Sequence, residues 1–316
     1  MKILIPGGSG QVGHIVARHF QAQGHAVTVL SRRPSSEPWE VIEWDGRTRG
    51  DWVAALGGCD VVINLAGRSV NCRYNSANRK EIYESRIRST LSLNEVIASL
   101  DHPPGLWINA STATIYRHAK DRAMDEESGE LGGGEACAPD TWNFSIRVAK
   151  DWEKAFFGTA TPRTRKIATR SAMTFSPDRG GVFDVLSGLV RCGLGGAQGD
   201  GMQYVSWVHE ADFARALDFL IAHEELDGIV NIASPNPLPN RDFMKALRAA
   251  WGVRIGLPAK AWMIEIGTFF MRTESELVLK SRRVVPGRLL ASGFRFLYPD
   301  WPAAARELVS RYPVRR

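Results

Sequence analysis

Lys2-Ile-Leu-Ile5-Pro6-Gly7-Gly8-Ser9-Gly10-Gln11-Val12-Gly13 opens the chain. Apolar residues follow at Ile15, Val16 and Phe20, then Gly24-His25, Ala26-Val-Thr-Val-Leu30 and Ser31-Arg32-Arg33. The two short apolar runs suit buried parallel strands, and the i, i+3, i+4 spacing between them suits one helix face. Strand, glycine turn, helix and strand in that order predict a doubly wound parallel α/β fold. Gly7 permits a tight turn off the strand, Gly10 lets a pyrophosphate approach the backbone, and Gly13 lets the helix pack closely. Ser9 lies within the turn. The N–H groups of Gln11, Val12 and Gly13 open the helix, where the helix dipole favours an anion. A plain glycine-rich turn is the bland alternative; the position between a strand and a helix start favours phosphate binding.

The end of the second strand selects the cofactor. A site for NAD carries an acidic residue there to accept from the ribose 2′-hydroxyl. This chain has Ser31, Arg32 and Arg33, and no carboxylate before Glu37. Arginine offers a planar, permanent cation that fits a 2′-phosphate, so the reading is NADP(H). Against it stands the ordinary case of two solvated basic loop residues.

The 316 residues suffice for a large α/β domain with a smaller portion beside it, taken as 1–245 and 246–316. Hydrophobic residues at 44% and charged residues at 23% argue against disorder. The four cysteines are dispersed without a C-x-x-C pair, which fits a reducing compartment and no metal site. The first apolar run is too short for an export signal, and residues 261–271 are apolar but too short to span a bilayer. The expectation is a cytoplasmic protein with no membrane partner. A net charge of +6 raises nucleic acid as a partner, but the basic residues are spread out and no DNA-binding motif is present. An anionic cofactor and a small-molecule substrate account for the charge, and a homodimer is left open.

Further along, Trp44-Asp45 closes a strand, and Asp60-Val-Val-Ile-Asn64-Leu65-Ala66-Gly67 is a strand with its turn. Strand ends face the ligand crevice in such a sheet, which adds Asp45, Asn64, Leu65, Ala66 and Gly67 to the cofactor candidates. A long helix runs to Pro103-Pro104. Leu106 to Ala110 is the next strand, followed by the hydroxyl-bearing turn Ser111-Thr112-Ala-Thr-Ile-Tyr116. Ser111 and Thr112 are candidates to bind a carbonyl or hydroxyl, with Tyr116 as the acid or base. A packed aromatic with a hydrogen-bonded tip is the alternative for Tyr116.

These segments together resemble an extended short-chain dehydrogenase/reductase, specifically the atypical epimerase-family, SulA-like NAD(P)-binding branch. The resemblance rests on Gly7 to Gly13, Asn64 to Gly67, Glu84-Ser-Arg86 to Thr90, Ser111 to Tyr116, Asp151-Trp-Glu153 and Trp207-Val-His209 with Asp212. It continues through Arg283-Val-Val-Pro286, Gly293-Phe294 and Tyr298-Pro299, which are similar to a small C-terminal domain of uncharacterised function. The resemblance implies a Rossmann-type sheet and a cofactor role for Arg86. It also implies a Tyr-x-x-x-Lys pair on the helix after the hydroxyl-bearing strand. In that register this chain has Ser145 and Ala149. The literal match Tyr116…Lys120 falls at a strand end.

Two functions follow. One is an NADP(H)-dependent oxidoreductase or epimerase-like protein acting on a small carbonyl or hydroxyl compound. The other is a non-catalytic NADP(H)-binding sensor or scaffold, which the missing pair favours. The glycine-dense stretch Gly193 to Gly201 is expected as a mobile loop over the crevice, Val205 to His209 as one strand, and His209 as an ordering residue.

Overall fold

The computed structural model describes residues 1–33, 35–136, 138–270 and 272–313. Cys137, counted above, lies outside the described residues, as does Met271 of the apolar run. β1 (Lys2–Pro6), α1 (Gln11–Ala22) and β2 (Ala26–Ser31) form the first unit. β3 (Glu40–Glu43), α2 (Trp52–Gly57), β4 (Val61–Asn64), α3 (Ser76–Ser99), β5 (Leu106–Thr112), α4 (Asp140–Phe157) and β6 (Arg165–Ser171) extend it. The chain continues through β7 (Met173–Phe175), α5 (Val182–Arg191), β8 (Tyr204–Val205), β9 (Trp207–His209), α6 (Glu210–Ala222) and β10 (Gly228–Ile232). β11 (Leu238–Pro239), α7 (Asn240–Trp251), α8 (Ala261–Phe270), α9 (Glu276–Leu279), α10 (Gly287–Ala291) and α11 (Trp301–Arg311) complete it.

Seven parallel strands form the central sheet in the order β10-β6-β5-β4-β1-β2-β3. Ile3, Leu4, Ile5, Val61, Val62 and Ile63 are all buried, because helices cover both faces. Val16 and Phe20 of α1 meet Phe213 and Leu217 of α6 in the core on one side. Trp52, Leu93, Ile97, Trp107 and Phe156 fill the other. The strand order reverses between β1 and β4, which opens the ligand crevice of this architecture beyond their carboxyl ends. There the backbones touch: a Cβ on Gly7 would stand 2.6 Å from Ala66 Cα.

A third core holds Phe175, Phe183, Trp207, Phe243 and Trp301. Phe243 of α7 stacks on Trp301 of α11 at 4.0 Å between ring centroids. The C-terminal stretch thus shares a core with segments that precede residue 246.

Two local features differ from the sequence reading. Residues 205–209 read as one strand but divide into β8, which pairs with β11, and β9, which pairs with β7. Ser206 at the break is fully buried; its Oγ donates to Arg282 O at 2.7 Å and accepts from Val284 N at 2.8 Å. The tail therefore claims the hydrogen-bonding capacity between the two short strands. The Gly193 to Gly201 stretch is a packed corner rather than a free loop. Gly199 N donates to Ala259 O at 2.8 Å, and a Cβ on Gly196 would stand 2.4 Å from the Leu257 backbone.

Candidate cofactor and active site

The glycine turn is a cradle. Gly7 takes φ +77°, a conformation that L side chains rarely adopt. A Cβ on Gly13 would stand 2.4 Å from Gly8 Cα, so this glycine lets α1 close onto the turn itself. A Cβ on Gly10 would meet nothing nearer than Gly7 O at 3.7 Å, which leaves the cradle open in front of it. The N–H groups of Gln11, Val12 and Gly13 form the unpaired first turn of α1. Gln11 adds a buried side-chain amide nitrogen with no hydrogen-bond partner. Unpaired donors at a helix start fit the pyrophosphate of a dinucleotide.

At the end of β2, Ser31 is buried and donates to Ser9 Oγ at 3.0 Å, which joins strand end to glycine turn. Arg32 and Arg33 are exposed, and among the described residues neither has a carboxylate within ion-pairing distance. The nearest acid in sequence, Glu37, is committed to His14 Nε2 at 3.2 Å. Two free cations beside the cradle fit a ribose phosphate. Asp45 is exposed and caps its own turn: one oxygen accepts from Arg47 N and Thr48 N, the other from Thr48 Oγ1.

Asn64 is buried, donates to Asn109 Oδ1 at 2.7 Å and accepts from Ala66 N at 3.1 Å. It fixes the turn Leu65-Ala66-Gly67 to the neighbouring strand. Arg86 of α3 lies against Gly67, and its guanidinium donates to Arg68 O and Ile82 O. Burial lowers its pKa to about 10, and no carboxylate among the described residues pairs with it. A desolvated cation without a counter-charge at the crevice edge favours an anionic ligand.

The predicted catalytic hydroxyls are placed at the end of β5. Ser111 Oγ donates to Glu153 Oε1 at 2.6 Å. Glu153 also receives a bidentate contact from Arg170, at 2.8 Å on each oxygen. Thr112 Oγ1 accepts from Thr114 N at 3.2 Å and caps the turn that follows β5. Tyr116 is only 2% exposed. Its hydroxyl donates to Asn231 Oδ1 at 3.0 Å and accepts from Arg170 at 3.0 Å. Burial raises its pKa against the pull of Arg170 and Asn231. In this arrangement the Tyr116 hydroxyl is an interior tie, with both its proton and a lone pair engaged.

A second polar cluster was not legible in the sequence. Ser145 of α4 donates to Glu276 Oε2 of α9 at 2.6 Å. Arg282 approaches the other Glu276 oxygen at 3.6 Å. Lys280 donates to Thr114 O at 2.7 Å, and Arg282 Nε to Thr114 Oγ1 at 3.1 Å. The Tyr74 phenol borders Ser145 and Glu276; burial first, then the Glu276 carboxylate, raises its pKa to about 12. Burial, with Arg282 adding to it, lowers Lys280 to about 7. Burial raises the Glu276 carboxyl against the opposing Arg282. The tail thus delivers Glu276 to the helix position where the resemblance implied tyrosine, and Lys280 and Arg282 to the turn after β5. Only Ser145 was identifiable beforehand, because its partners lie on distant segments.

His209 is buried and caps α6 through Nδ1, which accepts from Ala211 N at 3.1 Å; its Nε2 meets Glu307 at 2.8 Å.

Comparison with known proteins agrees with this geometry. The family model described as NAD dependent epimerase/dehydratase family matches residues 3–233. A domain of unknown function (DUF1731) matches residues 261–308. The epimerase family protein SDR39U1 of Bos taurus is 30% identical over 98% of this chain and 100% of its own length. The human epimerase family protein SDR39U1 (isoform 2), solved with NADPH, superposes with a TM-score of 0.86 at 28% identity, covering 98% of this chain and 100% of that one. A nucleoside-diphosphate sugar epimerase from Corynebacterium glutamicum gives a TM-score of 0.76 at 29% identity over 98% of this chain and 58% of that one.

Proposed function

The chain belongs to the NAD dependent epimerase/dehydratase family, and on that premise we propose that it is an NADP(H)-dependent oxidoreductase or epimerase-like enzyme acting on a small carbonyl or hydroxyl compound. The observation that carries the cofactor choice is the pair of exposed cations Arg32 and Arg33 beside the cradle, neither with a carboxylate partner among the described residues. The human relative solved with NADPH supports the same choice. Bound NADPH supplies a hydride to a carbonyl carbon, or NADP+ accepts one from a carbinol.

The chain's own residues do the rest. Gly7, Gly10 and the first turn of α1 hold the pyrophosphate, with Ser9 fixed by Ser31. Ser111 and Thr112 border the substrate side of the sheet; the Glu153–Arg170 pair orients Ser111, and Thr114 N holds the Thr112 hydroxyl. The proton for the reduced oxygen comes through Ser145, the partly exposed member of the Tyr74–Ser145–Glu276 cluster, which stands in the tyrosine register and donates to Glu276 Oε2 at 2.6 Å. Tyr116 positions Arg170 rather than touching substrate.

The second reading, an NADP(H) sensor, is favoured by two observations: the Tyr116 hydroxyl is locked in the interior, and Ser145 stands in the tyrosine register. One experiment separates the two. NADPH consumption is followed against a panel of aldehydes, ketones and quinones. Turnover that Glu276→Gln abolishes while NADPH still binds supports the enzyme. Tight NADPH binding without turnover on any compound supports the sensor.

A further inference from the structure

Helix α8 is built inside out. At 3.6 residues per turn, Trp262, Met263, Ile266, Phe269 and Phe270 lie within an arc of about 120°. Their exposures are 61%, 42%, 51%, 64% and 78%. The face turned to the protein carries Ile264 and Thr268, both buried. The segment entering the helix also exposes Ile255 at 70% and Leu257 at 59%. A contiguous apolar face of this kind marks an interaction surface.

Charge identifies what covers it. Lys260 directly precedes the helix, Arg272 stands two residues beyond its end, and Arg254 precedes Ile255; all three are exposed. Among the described residues none has a carboxylate within ion-pairing distance. Glu265 is the one acidic residue in the sequence between Val253 and Arg272. Arg73 also lies over the Phe269 ring at 5.9 Å. The ten residues of α8 are too short to cross a bilayer. Tryptophan and phenylalanine on one face with cations at the rim match a helix lying in a lipid headgroup region. A symmetric contact between two copies through this face would set their cations against each other.

We propose that α8 docks the protein peripherally on an anionic phospholipid surface, with Trp262, Phe269 and Phe270 inserted and Arg254, Lys260 and Arg272 facing the headgroups. None of these residues belongs to the cofactor cradle. The test is co-sedimentation of the full chain with vesicles of phosphatidylcholine containing phosphatidylglycerol, and with pure phosphatidylcholine. The expected result is binding to the anionic vesicles that falls at least about tenfold without the anionic lipid or at high salt. Phe269→Ser/Phe270→Ser weakens binding by about tenfold or more at an unchanged melting temperature, because both side chains face solvent. Arg254→Glu/Lys260→Glu weakens it without touching the apolar face. Absence of sedimentation, or undiminished binding by both variants, overturns the proposal. So does a concentration-dependent dimer that the phenylalanine variant dissolves, which would assign the face to a second copy.

Discussion

Gly7 combines a left-handed φ of +77° with a backbone neighbour 2.6 Å from where a Cβ would stand. Gly7→Ala is therefore expected to cost at least about 2 kcal/mol and to weaken NADPH binding, read by urea unfolding and fluorescence titration. Its role was readable in the sequence because turn, helix start and strand are contiguous there. Tyr116 was less readable: a strand-end tyrosine looks available until Asn231 and Arg170 fold onto its hydroxyl. Tyr116→Phe leaves Asn231 Oδ1 and one Arg170 nitrogen without a partner and should cost about 1–3 kcal/mol while NADPH affinity holds. An unchanged urea midpoint would contradict the tie. Lys280 was not readable at all, since its partner Thr114 lies 166 residues away. Its folded pKa of about 7 lies below the ordinary 10.5. Between those values the unfolded chain holds a proton that the folded chain has released, so raising the pH through that window stabilises the fold. Wild type should gain in urea midpoint between pH 7 and pH 9. Lys280→Met should gain less, which separates this lysine from Lys166, lowered to about 8 by burial.

At the scale of elements, the alternation of strands and helices through α4 was legible, because buried parallel strands read as short continuous apolar runs. The short strands were not. β8 and β9 are two and three residues long, and Ser206 between them is claimed by the tail. No periodicity in residues 204–209 encodes that. The tail is held by one buried carboxylate: Asp212 of α6 accepts from Leu297 N at 2.7 Å, Tyr298 N at 2.8 Å and Arg215 at 3.0 Å. Asp212→Ala removes all three contacts and leaves the Leu297 and Tyr298 amides without their buried acceptor, an expected loss of about 2 kcal/mol. Trypsin should then cut at the exposed Arg295 sooner than in wild type, and equal cleavage rates would contradict the clamp.

Across the whole molecule, the division of labour follows chain order. The first half builds the cradle, and the tail folds back to place Glu276, Lys280 and Arg282 against α4 and the β5 turn. The local half of this site was visible in the sequence. The other half depends on contacts spanning more than a hundred residues, which one sequence does not reveal. A chain cut after Trp251 would strip Trp301 from Phe243 and Trp207, and near-UV circular dichroism should show that the shared core no longer packs. The net charge of +6 suits an anionic cofactor, and its most consequential members are the two arginines at the end of β2. The central claim is that Arg32 and Arg33 select NADP(H), and calorimetric titration with NADPH and NADH tests it most directly. Wild type is expected to bind NADPH at least about tenfold more tightly than NADH, and Arg32→Ser/Arg33→Ser to remove the difference by weakening NADPH alone. Equal affinities in wild type, or a double variant that keeps its preference for NADPH, would contradict it.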